Sequence, residues 1–488
     1  MRARNNNFTG HVTAKIYDHI ITARSRQQTC SIFAMKEDNE ACLRNDSCFI
    51  SWLRYLRSNN IEESACKLAS HHVRREATSA EEYLAGSFNR CYRVKFKDGP
   101  DVLVRFPALG RSMFRREKIV DEITVMEYVE GYTSIPVPRV LGYGATEVGP
   151  YMILEFVEGK LLSGYLKASE DPKVPSTLKL DLDPATLRRA YRTMAEIVLQ
   201  LSTCRFPEIG GIVRDRAGYY AVRKRALTLN MNEVVALANF PPKRLSQRRY
   251  ADTTSYLVSL ANDHLHHLET QRNDAVVDEE DCRRKYIARC LFREVARRFR
   301  SPHDPDSFPL FCEDLRPSNV IVDEELRVRA VIDWEFCYTA PAEFTYCPPW
   351  WLLLCRPENW EAGFDDFLVH YMARLEIFLE ELREYEVEFA EGHIPPGSSR
   401  LSEHMAQSIE NGNLWIFLAA TYSFGFDDIY WKFIHPKYYG DFGSTEDLLK
   451  LLNEEDRKKM DDFVQGKMQQ MKEGGLDSHR TIEEITDD

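Results

Sequence analysis

The chain has 488 residues, 44% of them hydrophobic and 29% charged, a balance typical of a soluble globular protein and unlike that of a disordered or fibrous one. At ~150 residues per unit the length suggests about three domains or subdomains, enough to bury a large core. The 64 Lys and Arg against 76 Asp and Glu leave a formal charge of −12, which argues against sequence-independent nucleic-acid binding through a whole-protein field.

The twelve cysteines are scattered from Cys30 to Cys355 with no C-x-x-C pair, and no H-E-x-x-H occurs. Neither a zinc site nor a small disulfide scaffold is indicated, and reduced thiols serving as small hydrophobes fit better. Apolar runs such as Trp350-Trp351-Leu352-Leu353-Leu354-Cys355 fall short of the ~20 residues of a membrane helix. The first residues are basic (Arg2, Arg4, then Arg24 and Arg26) with no apolar segment after them. A cytoplasmic location is expected, with a mitochondrial presequence as the alternative.

In chain order, residues 1 to about 27 read as a polar leader, and about 28–80 as an extension with short helices around Phe49, Trp52 and Leu56. Residues 92–96 and 102–106 alternate with period two about the turn signal Asp98-Gly99, which predicts a hairpin. A helix is expected over about 117–128. An extended Pro-rich stretch follows at 135–138, then a strand at 151–156, giving a small sheet with one helix over 81–158. Gly142-x-Gly144 reads as a turn. Beyond Gly159 the pattern becomes helical. Asp183-Pro184 starts a helix whose face carries Leu187, Tyr191, Met194, Val198 and Leu201. Further helices are expected near 251–272, 281–300, 360–387 and 402–424, with a disordered acidic tail over 466–488. The fold class is α+β: a small β-rich lobe, then a large helical lobe over 159–465.

The chemistry concentrates in Cys312-Glu313-Asp314-Leu315-Arg316-Pro317-Ser318-Asn319 and the following Val331-Ile332-Asp333-Trp334-Glu335. The apolar runs 320–322 and 328–332 form a hairpin whose turn is centred near Leu326, and this pairing sets Asn319 opposite Asp333. An amide oxygen and a carboxylate brought together are hard ligands suited to Mg2+, completed by phosphate and water. Asp314, one loop away, is placed to accept a proton from a substrate hydroxyl. The D-x4-N spacing alone is a weak signal, and the hairpin with its terminal I-D-W gives it weight. No P-loop motif occurs.

This segment resembles the catalytic loop and metal-binding strand of the aminoglycoside phosphotransferase family, and in particular its fungal branch, whose fold is protein-kinase-like. That family usually reads H-G-D-x-x-P-x-N and then I-D-W; the resemblance covers about 84–442. It implies a bilobal fold, ATP and Mg2+ as cofactors, a hydroxylated small molecule as acceptor, Asp314 as catalytic base, and Asn319 and Asp333 as magnesium ligands. Within the small lobe, alternation puts Leu103 and Arg105 on one strand face, where the resemblance implies an adenine contact and a phosphate-binding cation. Arg105 stands where protein-kinase relatives have Lys. The resemblance also implies that Glu122 pairs with Arg105, that Gly86, Ser87, Phe88 and Asn89 cover the nucleotide, and that Glu155, Phe156 and Val157 form the adenine hinge. Two positions depart from the pattern: Cys312 replaces His, and Glu313 replaces Gly. Glu313 either raises the pKa of Asp314 or holds a cationic substrate. The alternative to an active enzyme is a nucleotide-binding pseudokinase or scaffold. A protein kinase is disfavoured, because Asp333-Trp334-Glu335 is not D-F-G, no A-P-E follows, and Asp441-Phe442-Gly443 lies too far away. Acceptor specificity is expected from about 205–300 and 340–430, where Trp350, Trp351 and Trp415 read first as core and second as lining of a substrate cleft.

Overall fold

A computed structural model describes residues 37–473, apart from 172–173, 175, 273–274, 302–306, 358–359, 394–399 and 442–443. The polar leader, residues 474–488 of the expected tail, and two residues of the distant D-F-G triplet therefore lie outside the described residues.

Two helices come first, α1 (Asn39–Ser58) and α2 (Ile61–Val73). Asp38 caps α1 by accepting from the backbone N–H of Ala41 at 2.9 Å, which satisfies one of the donors a helix start leaves open. Next come β1 (Ala77–Ala85), β2 (Asn89–Phe96), β3 (Val102–Pro107), helix α3 (Arg115–Tyr132), β4 (Val140–Thr146) and β5 (Gly149–Glu155). The five strands form one antiparallel sheet in the order β1-β2-β3-β5-β4. Its first strand begins four residues ahead of position 81, the start expected for this lobe.

Strand alternation gives this sheet two different faces. Val102, Val104 and Phe106 of β3 pack with Phe49, Trp52, Leu56 and Ile61, so α1 and α2 cover the outer face. Leu103 and Arg105 point the opposite way, towards α3. Gly142 and Gly144 lie within β4 rather than in the expected turn. A Cβ on Gly142 would sit 2.2 Å from the His72 ring, so this glycine lets α2 approach the sheet.

The helical part follows: α4 (Pro184–Thr203), α5 (Leu229–Leu237), α6 (Thr253–Thr270), α7 (Glu279–Arg298), α8 (Phe364–His393), α9 (Leu401–Glu410), α10 (Asn413–Thr421) and α11 (Glu454–Glu473). Asp183 caps α4 at 2.9 Å to the N–H of Thr186, and Leu187, Tyr191, Met194 and Leu201 are buried, as the periodicity predicts. The single helix expected over 402–424 is two, because Gly412 turns the chain with φ +71°. Residues 466–473 are helical rather than tail: Met460, Val464 and Lys467 of α11 are buried, and the first two join the core that α6 and α7 build.

Between α7 and α8 run the short strands β6 (Phe308–Cys312), β7 (Val320–Val322), β8 (Val328–Val331) and β9 (Cys337–Thr339). β7 and β8 form the expected hairpin, with Leu326 at φ +61° in its turn. The register is one residue short of the prediction. The pairs are Val320 with Val331 and Ile321 with Ala330, and Ile332 N–H donates to Asn319 O at 2.8 Å. Nearer the turn Val322 pairs with Val328, two residues short of the prediction, and a bulge between Ile321 and Val322 recovers one of them.

Asp38 also ties the first helices to the helical part. Its Oδ2 accepts from Arg272 Nε at 3.3 Å, with the side chains 0% and 1% exposed. Removing one partner of such a pair leaves a buried charge, at a cost of roughly 3–5 kcal/mol. Asp38→Ala should lower the thermal midpoint by several degrees and Asp38→Asn, which keeps the cap, by less; equal midpoints for wild type and Asp38→Ala would show that the pair stabilises nothing.

Candidate active site

One cavity of about 250 Å3 lies between the five-stranded sheet and the loop after β6. It is lined by Gly86, Ser87, Leu103, Arg105, Glu155, Phe156 and Val157 from the sheet side and by Asp314 and Asp333 from the helical side. With Phe88 and Asn89, which also line it, eleven of the residues singled out from sequence thus face one space. Glu122 and Asn319 are not among its lining residues and reach it through neighbours.

Arg105 is the centre of this arrangement. Its guanidinium is 3% exposed, donates to Asp333 Oδ1 at 2.5 Å and pairs with Glu122 of α3, which is fully buried. Burial opposes the guanidinium's charge, yet Glu122, Asp333 and Glu335 together hold its pKa above the ordinary value. Asp333 has left the β8 ladder with φ +56°, a conformation Asp tolerates better than most residues. Its pKa is raised by burial, with Arg105 pulling the other way.

Asp314 sits in the loop after β6, 7% exposed. Asn319 Nδ2 donates to its carbonyl at 2.7 Å and to its Oδ2 at 3.1 Å. Arg316 Nε lies 3.1 Å from Asp314 Oδ1 without hydrogen-bond alignment. Burial lifts the pKa of Asp314; Arg316 lowers it and Glu335 adds to the rise. Glu313 points elsewhere. Its Oε2 accepts from the Leu229 N–H at 2.5 Å and its Oε1 from the Tyr338 hydroxyl at 2.7 Å. Burial pushes its pKa up to about 7 against these two donors.

The stretch 86–89 is anchored rather than loose. Phe88 O accepts from Ala108 N at 2.8 Å and from Ser112 Oγ at 3.2 Å. Gly86 has no positive φ, and an added Cβ would meet only Asn89 O at 3.6 Å. At 155–157 the Phe156 ring is held edge-on by Tyr83 at 5.0 Å and capped by the Arg93 guanidinium at 4.0 Å. Gly159 then passes so close to β7 that a Cβ would lie 2.5 Å from Ile321 Cγ2, at φ +153°.

Sequence reasoning did not single out a second buried charge cluster beside Arg105. Lys118, one helical turn before Glu122 and 1% exposed, pairs with Glu335. It also donates to Asn89 Oδ1 at 3.2 Å and to Ser112 Oγ at 3.0 Å, and Asn89 Nδ2 donates to Glu335 Oε2 at 3.2 Å. Burial works against the Glu335 charge, but Lys118 and Arg105 outweigh it and hold its pKa down. The available signal was the i, i+4 spacing of Lys118 and Glu122, which puts both on the helix face turned to β3.

Asn319 and Asp333 offer hard oxygen donors of the kind Mg2+ takes, and few of them. Among the described residues no group of three or more His, Cys, Asp or Glu gathers as a metal site.

The family model for the phosphotransferase enzyme family matches residues 79–385. The chain belongs to that family. Among curated relatives, the altered inheritance of mitochondria protein 9 of Debaryomyces hansenii is 32% identical over 82 residues, 16% of this chain and 13% of that protein. A subtelomeric hrmA-associated cluster protein of Aspergillus fumigatus is 30% identical over 84 residues, 16% of each chain. The chain thus spans only 13 to 16% of the length of these relatives. Among solved structures, a macrolide 2'-phosphotransferase type I is 14% identical, with 74% of this chain and 95% of that one covered at a TM-score of 0.37. An aminoglycoside-3'-phosphotransferase of type VIII is 17% identical, with 68% and 91% covered at 0.32.

Glu313 generates a prediction with a definite sign. A carboxyl with a pKa of about 7 in the fold, against ~4.3 in the unfolded chain, binds its proton more tightly when folded. Its contribution to stability is therefore present at low pH and lost as pH rises between those values. Glu313→Gln should flatten the fall in thermal midpoint across that window; a wild-type midpoint that rises there, and a rise that the substitution removes, would contradict the assignment.

Proposed function

We propose that the protein transfers the γ-phosphoryl group of ATP, with Mg2+, to a hydroxyl of a small molecule. The reading rests on one observation: a single cleft gathers Arg105, Asp314, Asp333 and the stretches 86–89 and 155–157. Leu103 and the 155–157 backbone would hold the adenine ring. Arg105, oriented by Glu122, would bind phosphate oxygens through its planar fork, exchanging the Asp333 carboxylate for them. Asn319 and Asp333 would hold the metal, whose chemistry is to neutralise charge on the phosphates during transfer.

Asp314 orients the acceptor hydroxyl and removes its proton, so that the oxygen attacks the γ-phosphorus in line with the departing ADP. Asn319, by donating to the Asp314 carbonyl and carboxylate, fixes the direction of that base. Cys312 is a buried packing residue whose thiol lies 3.8 Å from Glu335 O. A second reading, a nucleotide-binding scaffold without turnover, draws on the Arg105–Asp333 contact, because that ion pair occupies a carboxylate the metal needs.

Mg-ATP should raise the thermal midpoint of wild type and of Asp314→Asn equally, while Asp314→Asn loses about 10²–10⁴-fold in ADP release across a panel of hydroxylated compounds. Because the base acts deprotonated and burial raises its pKa, the acid limb of kcat/KM should lie above the ordinary Asp value of ~3.9. Midpoint stabilisation without wild-type turnover on any hydroxylated compound would favour the scaffold.

A further inference from the structure

The loop carrying Asp314 borders two unlike spaces. Asp314 lines the charged cleft, while its neighbours Glu313 and Leu315 line a second cavity of about 160 Å3. That cavity shares Phe311, Glu313, Trp350, Pro357, Leu418 and Thr421 with an adjoining one of about 80 Å3, so the two make one chamber along the loop.

The lining of this chamber has a distinct chemistry. Trp350, Trp351, Trp415, Phe311 and Phe344 supply aromatic surface, and Glu313 is the sole charged side chain among the described residues of the larger cavity. The smaller cavity adds Glu233 and Arg356. Arg356 lies over the Trp350 and Tyr422 rings, 5.1 Å from each centroid, so its charge is spread along an aromatic wall. A ligand with several ammonium groups would have to leave water for a space with one carboxylate in its larger part, and unpaired charges there are strongly disfavoured. A flat apolar ligand has no such penalty, and aromatic walls with one fixed polar group are what such ligands take. Glu313 is fixed, because Leu229 N–H and Tyr338 OH each hold one of its oxygens.

We propose that this chamber binds the acceptor, and that the acceptor is an uncharged aromatic or polycyclic alcohol rather than a polycationic sugar. Its rings lie against Phe311, Trp350 and Leu418. Its hydroxyl is received at Glu313 and presented to Asp314, the next residue on the loop. The assignment of an acceptor rests on the phosphotransferase reading above; the class of ligand rests on the chamber alone.

Calorimetric titration tests the ligand class without turnover, using 2-(2-naphthyl)ethanol and kanamycin as probes on the full chain with Mg2+ and a non-hydrolysable ATP analogue. Naphthylethanol should bind saturably to wild type, kanamycin should not, and Trp350→Ala should weaken naphthylethanol binding at least tenfold. Thr421→Phe, which fills the chamber from α10, should abolish it. Both variants should keep the wild-type midpoint shift with Mg-ATP, since neither residue touches the charged cleft; where Trp350→Ala does not fold, Thr421→Phe decides alone. Saturable kanamycin binding, or naphthylethanol binding indifferent to both variants, overturns the proposal. ADP release separates the two readings. Naphthylethanol binding with no ADP release on any hydroxylated compound removes the phosphotransferase reading and the acceptor role with it, while ADP release on kanamycin without naphthylethanol binding overturns the ligand class alone.

Discussion

Three elements of the protein meet at one guanidinium. Arg105 of β3 reaches Glu122 of α3 on one side and Asp333, just past β8, on the other; Arg105 and Glu122 are withdrawn from bulk water, whereas Asp333 stays about a third exposed on the cleft side. An ammonium is a single point charge, whereas the guanidinium fork presents separate N–H groups in fixed directions. That geometry lets Arg105 hold two carboxylates from different parts of the chain at once. The sheet, its helix and the loop that ends the hairpin are therefore registered against each other by the same side chain that faces the cleft.

Charge balance follows from this arrangement. Beside Arg105, Lys118 pairs with Glu335, so two buried cations face the carboxylates of Glu122, Asp333 and Glu335. The set is one positive charge short, which is why burial can raise the pKa of Asp333 even in contact with Arg105. The Mg2+ proposed for Asn319 and Asp333 would supply what is missing. The −12 of the whole chain has no bearing on this, because the fields that matter act over a few ångströms inside a desolvated pocket.

What the sequence made legible was local. Alternation along β3 put Leu103 and Arg105 on one face, the Asp183-Pro184 pair marked the start of α4, and two apolar runs marked the hairpin beside Asn319. Each depends on contacts within a few residues. The misreadings depend on tertiary packing. Gly142 read as a turn because glycine usually signals one, whereas its role is to admit His72 of α2 against β4. The hairpin register slipped because the turn is centred on Glu325 rather than Leu326, a shift the Val-Ile-Val pattern does not mark and a bulge only half recovers. The extension at 39–73 carries no motif, and only the folded chain shows Phe49 and Trp52 closing the outer face of the sheet. The apolar chamber was legible only as the second reading of Trp350, Trp351 and Trp415, since its walls come from segments spread between α4 and α10.

Glu313 shows how one departure from the family pattern couples the two sides of the site. Glycine, usual at this position in the family that the segment resembles, offers no acceptor. Here the carboxylate takes the Leu229 N–H, one of the donors left open at the start of α5, and the Tyr338 hydroxyl of β9. A carboxylate at a helix N-terminus is stabilised by the helix dipole as well as by the hydrogen bond. Replacing it with glycine would strand both donors, so α5 and β9 are fastened to the loop through a residue that also faces the apolar chamber. Asp314, the base proposed above, is thereby held from two directions: Asn319 fixes its carboxylate from within the loop, and Glu313 fixes the loop itself from the side where an acceptor would arrive.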